Sequence, residues 1–178
     1  RYLWDGKVFA HGINPFKFAP EEINQYKSLK IRNPKHFHSL YEEKDQKELA
    51  ILNNLKWESD VALKYMERIN HPDVPTIYPP LAQNVFRISQ LISQDSLLTL
   101  RILFLAFDLM GMFFIVLTLR VLNLNESFSL VYFWSPLMIK ETYNSTHLDI
   151  IGISCLCASI YFLIQRRMIG SLFFLALS

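Results

Sequence analysis

A few acidic, basic and aromatic residues stand at positions where they could do chemistry. Asp5, in Trp4-Asp5-Gly6, is a carboxylate between an aromatic ring and a glycine. Such a group serves as a general base or sits on a helix surface. Asp73, in His71-Pro72-Asp73, either caps a turn or binds a ligand hydroxyl. Tyr78 precedes Pro79-Pro80, so its ring is rigidly placed, to stack on a sugar or simply to pack. Asp108 interrupts a long apolar run; an acid at that depth of a bilayer costs ~2.5–3.5 kcal/mol and must face a partner or a cavity. Lys140 and Glu141 either snorkel to an interface or form part of a site. Asn144, His147 and Asp149 follow within a few residues, and Asn144-Ser145-Thr146 also matches a glycosylation sequon. His147 and Asp149 have no third ligand at metal spacing, nor do His36 and His38, so no metal site is expected. Phosphate-binding glycine loops, HExxH and nucleophile elbows are missing. Asp5, Asp73 and Tyr78, with the group around Lys140, suit a site at the outer face of a membrane that reads a polar head on a lipid.

The elements that must position these residues change character near Asp95. Residues 1–95 carry most of the 18 Lys and Arg and of the 16 Asp and Glu. Residues 96–178 are mostly apolar, and the whole chain is 51% hydrophobic with a net charge of +2. No clustered basic face marks a nucleic-acid binder. Cys155 and Cys157, two apart in an apolar run, face different ways on a helix and read as small core residues.

The expected fold class is an all-α membrane protein. A polar extracytoplasmic segment of short helices and loops (1–95) leads into a bundle of about four transmembrane helices (96–178), at 97–119, 128–143, 149–165 and from 168 on. The second is broken by Pro136 and needs its neighbours to cover its backbone. Arg120 and Arg166-Arg167 end the first and third spans, whereas the loop NSTHLD carries no Lys or Arg. Positive residues favour the cytoplasm, so NSTHLD and residues 1–95 are assigned outside.

Within residues 1–95, a short helix is expected over 2–11, loop over 12–40, helix over 45–68, and an amphipathic helix over 83–94 lying on the membrane or leading into the first span. The passage NHPDVPTIYPPLAQ (70–83) holds four prolines and can be neither helix interior nor central strand. With so little apolar patterning, the segment is expected to pack on the membrane helices rather than fold alone. Arg1 enters straight into an aromatic-rich stretch and SLFFLALS stops inside an apolar run, which reads as a piece of a longer membrane protein.

Three blocks, RYLWDGKVFAHGINPFKFAP (1–20), INHPDVPTIYPPLAQ (69–83) and FWSPLMIKETYNSTHLDII (133–151), resemble the GT-C glycosyltransferases, especially the bacterial polyprenyl-phosphate-mannose-dependent mannosyltransferases. The resemblance covers most of the chain outside residues 21–68. Phe16 stands where that group has Tyr, Ser135 where it has Asn, and the stretch 35–68 is longer. The resemblance implies an integral enzyme of the bacterial plasma membrane. It would move a hexose, mannose foremost, from a polyprenyl-phosphate donor to a glycan or glycolipid acceptor by an inverting displacement. It implies substrate-binding roles for Trp4, Asn14, His71, Asp73, Tyr78, Lys140, Glu141, Asn144, His147 and Asp149, with Lys140 on the leaving phosphate. Asp5 is the candidate catalytic or acceptor-binding acid, and the base itself is implied ahead of the first block. No cofactor is implied, the donor being a substrate, and membrane lipids are the partners. The alternative is a non-enzymatic transporter or assembly component using Asp108 and Lys140 in a translocation path.

Overall fold

Prolines begin helices in this chain more often than they interrupt them. Helix α1 spans Tyr2–Ala10, α2 Pro20–Arg32, α3 Pro34–Leu40, α4 Glu43–Leu55, α5 Asp60–Glu67 and α6 Pro80–Ile92. Pro20, Pro34 and Pro80 each take the first helical position, where a missing N–H costs nothing and the fixed φ already suits the helix. Residues 12–40, expected as loop, are therefore mostly helical. Glu22 also reaches back to accept from the Ala19 N–H at 2.7 Å. The helix expected over 45–68 divides instead into α4 and α5, because Ser59 caps a new start by accepting from Ala62 N at 3.0 Å.

The computed structural model describes residues 1–178, except the side chain of Tyr143. The described residues are helical, without strands. They form two compact units, Arg1–Leu97 and Leu98–Ser178. The first unit has a core of its own, built from Trp4, Val8, Ile23, Phe37, Leu49, Leu52 and Met66 among others. The core is larger than the weak apolar patterning of residues 1–95 suggested. Those residues come from several short helices, so no single stretch shows a long periodic pattern.

At the centre of this unit lies α1, with Trp4, Asp5, Gly6, Lys7 and Val8 all buried. Five consecutive buried residues mean a helix enclosed on every side. It packs along α6, and Gly6 permits the approach: a Cβ there would lie 2.4 Å from the Phe86 carbonyl oxygen. The buried face of α6 includes Ala82, Gln83, Val85, Phe86, Ser89 and Gln90. That face, expected against a membrane, is covered by α1; Ile88, Leu91 and Ile92 stay exposed. The proline-rich passage connects α5 to α6. Its Pro72 carbonyl accepts from Glu21 N at 2.8 Å, satisfying one orphan donor of α2.

The second unit is built on α7, Leu97–Val121, whose 25 residues span about 37 Å against the ~30 Å of a bilayer core. Among the described residues it is the one helix long and apolar enough to cross a membrane. Helices α10 (Asp149–Ile164) and α11 (Met168–Leu177) are apolar but shorter. Phe162 stacks on Phe174 with centroids 5.6 Å apart, and Ser159 Oγ donates to the Ser171 carbonyl at 2.9 Å. Gly111 of α7 lies against Ser154, and Phe114 against Tyr161. Together with Arg101, which donates to Thr146 Oγ1 at 3.2 Å, these pairs make α7 and α10 run parallel. Their C-terminal ends, with Arg120 and with Arg166-Arg167, lie at the same end of the unit.

The chain must return between them, and it does so without a continuous helix. A 3₁₀ turn over Glu126–Phe128, α8 (Ser129–Phe133), α9 (Pro136–Met138) and a π-helix over Ile139–Asn144 replace the span expected at 128–143. Ser135, in extended conformation ahead of Pro136, makes the break. Three polar contacts run up α7 in reverse order. Glu126 accepts twice from the Arg120 guanidinium, at 2.7 and 3.0 Å. Tyr132 donates to Asp108 Oδ1 at 2.7 Å. Arg101 meets Thr146 and, at 3.4 Å, the Asn144 carbonyl. Helices α7 and α10 each close on a residue in the left-handed region, Asn123 and Arg166, that lets the following N–H reach back five residues.

Gly6→Ala tests the packing of α1 on α6. Alanine favours a helix by ~1 kcal/mol, but the backbone collision dominates, so stability should fall by about 2–3 kcal/mol, seen as a lower urea midpoint for the first unit.

Candidate functional site

Asp5 is 2% exposed on the enclosed helix α1, so its charge needs partners. Arg1, one turn earlier, puts Nε 3.0 Å from Oδ1. Gln83 of α6 directs Nε2 at Oδ2 from 3.4 Å and at Thr76 Oγ1 from 2.9 Å. Burial nevertheless outweighs Arg1, Thr76 and Gln83, and holds the Asp5 carboxyl above the usual carboxylate range. Arg1 also donates to the Val74 carbonyl at 3.1 Å, tying α1 to the proline-rich passage. Tyr2 stacks on Phe86 at 4.8 Å and meets Tyr78 edge-on at 5.0 Å. Burial, then the Asp5 charge, raise the Tyr78 phenol. In front of this group opens a hollow of about 190 Å³, lined by Arg1, His71, Thr76 and Tyr78 among others.

The structure thus brings His71 and Tyr78 to one hollow, with Asp5 enclosed behind Arg1 and Thr76, and does not gather the other candidates of this unit with them. Asp73 is exposed on the passage and does not line the hollow. Trp4, 2% exposed, belongs to the core beside Tyr65. Asn14 makes a turn, accepting from Phe16 N at 3.0 Å, and lines a separate hollow with Gln83. Arg1, Thr76 and Gln83 were not singled out from sequence. Gln83 could have been: it and Gln90 interrupt the apolar face of α6 seven residues apart.

Lys7 was missed as well. It is 1% exposed and pairs with Glu58 at 2.8 Å and Asp95 at 3.1 Å. Tyr65 and Ser59 each donate to Asp95 at 2.7 Å. Asp95 adopts a φ of 57°, with its N–H on Gln90 Oε1 at 3.0 Å. Burial pushes the Asp95 carboxyl up, but the donors Tyr65, Ser59 and Lys7, with the Lys7 charge, together bring it below its ordinary value. Burial, with the bond to Asp95, drives the Tyr65 phenol strongly upward. Two residues apart on a helix, Asp5 and Lys7 cannot reach each other, so each requires its own counter-charge.

In the second unit, the remaining candidates share one short stretch. Lys140 Nζ lies 3.8 Å from Glu141 Oε1, and His147 Nε2 3.2 Å from Glu141 Oε2. The His147 N–H donates to the Glu141 carbonyl at 3.0 Å, folding the loop back on the π-helix. Asn144 and Lys140 line a shallow hollow with Pro136 and Ile139, and Asp149 is the exposed first residue of α10. A cation, a carboxylate and an imidazole converge here at a polar rim. Asp108, by contrast, is 4% exposed, with Tyr132 on its carboxylate. Among the described residues, no three His, Cys, Asp or Glu side chains group as metal ligands do.

No protein-family model matches the chain, and neither does a curated protein or a solved structure.

Asp95→Asn leaves Lys7 enclosed with Glu58 as its remaining counter-charge, and should cost about 3 kcal/mol, read as a fall in the thermal midpoint. Asp5 has the opposite sign to Asp95 in pH dependence. A raised carboxyl gives stability that is whole below its unfolded value near 3.8 and is lost as pH rises through the folded value. Comparing urea midpoints at pH 4 and pH 7, Asp5→Asn should therefore lose less stability on the rise than the parent chain does.

Proposed function

We propose that the chain belongs to an integral-membrane glycosyltransferase of the GT-C kind, which moves a hexose from a polyprenyl-phosphate donor to a glycan or glycolipid acceptor outside the cytoplasm. One observation carries the reading: the first two motif blocks, far apart in sequence, meet side chain to side chain. Asp5 and Gln83, 78 residues apart, touch within RYLWDG and PTIYPPLAQ, beside a hollow edged by Tyr78 and His71. Aromatic faces next to fixed polar groups are the chemistry that binds sugars. The third block supplies a separate polar rim with one cation, Lys140.

The order of elements in the second unit agrees with the topology read from charge. With α7 and α10 parallel, the broken segment is a second crossing and α11 begins a fourth. Arg120, Arg166 and Arg167 then lie on the cytoplasmic side, and the loop Asn144–Asp149 with residues 1–95 lies outside. The three polar contacts along α7 tie the broken segment to it, and neighbouring helices would have to cover its exposed backbone at membrane depth.

In the reaction, an acceptor hydroxyl oxygen attacks the anomeric carbon while its proton passes to a carboxylate. The bond from that carbon to the phosphate oxygen breaks, and the electron pair leaves on the lipid phosphate. Lys140 meets that growing charge, and Glu141 and His147 hold its surroundings. Asp5, enclosed behind Arg1 and Thr76, keeps Gln83 and Thr76 oriented.

The test uses membranes from cells carrying the chain in its natural reading frame and a labelled polyprenyl-phosphate-mannose donor. Label should pass to a glycan or glycolipid, and Lys140→Ala, on a 70% exposed side chain, should cut the rate by about 100-fold. If no polyprenyl-phosphate hexose is consumed, or the donor crosses the bilayer without transfer, the reading fails in favour of a carrier.

A further inference from the structure

The amide of Gln83 stands between two hollows, and its second side is unused. The side chain is 1% exposed. Its Nε2 donates toward Thr76 and Asp5. Thr76 Oγ1 is hydrogen-bonded to Asp5 and accepts from Nε2 at 2.9 Å, so the nitrogen faces this pair and the oxygen turns away. That oxygen, Oε1, is buried and has no hydrogen-bond partner among the described residues. Leaving an acceptor in this state is unfavourable unless something donates to it.

Gln83 also lines the hollow between the end of α1, the turn after it and the start of α6. The volume there is about 230 Å³, below the ~300–1,000 Å³ of pockets for drug-sized ligands, and suits a single ring. Phe9, Phe16 and Pro80 form apolar walls, and Asn14 and Asn84 add two more amides. Asn14 Oδ1 is taken by Phe16 N, so its NH₂ is left to donate. Asn84 Nδ2 donates to the Pro80 carbonyl at 2.9 Å, so its oxygen is left to accept. Phe16 is 42% exposed, an aromatic ring at the rim.

We propose that this hollow binds one pyranose ring, with a sugar hydroxyl donating to Gln83 Oε1 and the apolar C–H face of the ring against Phe16. A pyranose matches the lining because its hydroxyls both donate and accept, whereas one face carries only C–H groups. Assigning that ring to the acceptor rests on the glycosyltransferase reading; the binding of a pyranose does not. The Gln83 amide then links the two hollows, since the hydroxyl on Oε1 and the Asp5 and Thr76 acceptors share one rigid group.

The test is saturation-transfer NMR on the full-length protein in detergent micelles, with methyl α-mannopyranoside as probe and methyl α-glucopyranoside beside it. Saturation should reach the ring protons. Gln83→Leu and Phe16→Ala should each weaken binding about tenfold, and Phe16→Ala, made on an exposed ring, should keep the parental thermal midpoint. No transfer to either pyranoside, or equal binding in both variants, overturns the proposal. Binding that is lost in the variants of a protein showing no hexose transfer supports the site and removes the enzyme reading. Hexose transfer without pyranoside binding does the reverse.

Discussion

A charge cannot be buried alone, and α1 buries two. Asp5 and Lys7 lie on a helix enclosed on every side, on different faces of it. Removing each from water costs several kcal/mol unless geometry and hydrogen bonds repay it. Much of the first unit is arranged around that requirement. Arg1, Thr76 and Gln83 converge on Asp5 from three segments. Glu58, Ser59, Tyr65 and Asp95 assemble at Lys7 from the α4–α5 junction, α5 and the end of the unit. The apolar core supplies the driving force, and the two charge clusters set which helix face meets which neighbour.

Gly6 makes this arrangement possible. With no side chain there, α1 and α6 come close enough for Gln83 to reach Asp5, and for Gln90 to donate to the Leu3 carbonyl at 3.1 Å. The proline-rich passage then has a definite mechanical role. It carries the chain past the N-terminus of α2, offers a carbonyl to it, and enters α6 through Pro80 with little conformational entropy left to lose.

The long apolar helix was legible in the sequence because its length and composition suffice, and α1 because its ends are marked. The helices opened by Pro20 and Pro34 were not, because a proline reads as a breaker unless what precedes it can serve as a cap. Asn33 does so, its side chain accepting from His36 N at 3.3 Å. Of the candidate site, Asp5 and Tyr78 stood out by their neighbours in sequence. Gln83 and the Lys7–Asp95 pair did not, because their meaning depends on partners many residues away. Pro136 announced a break, but the contacts that hold the broken segment to α7, at Arg120, Asp108 and Arg101, belong to tertiary structure.

Those contacts bear on how the chain could enter a lipid phase. The stretch from Glu126 to Asn144 has no helix long enough to satisfy its own backbone there, and each open amide in hydrocarbon costs several kcal/mol. Its tyrosine, glutamate and loop carbonyl find their partners on α7, the helix made just before it. In a lipid phase the two would stand or fall together, the polar side chains of α7 being the fixed points to which the broken segment is tied.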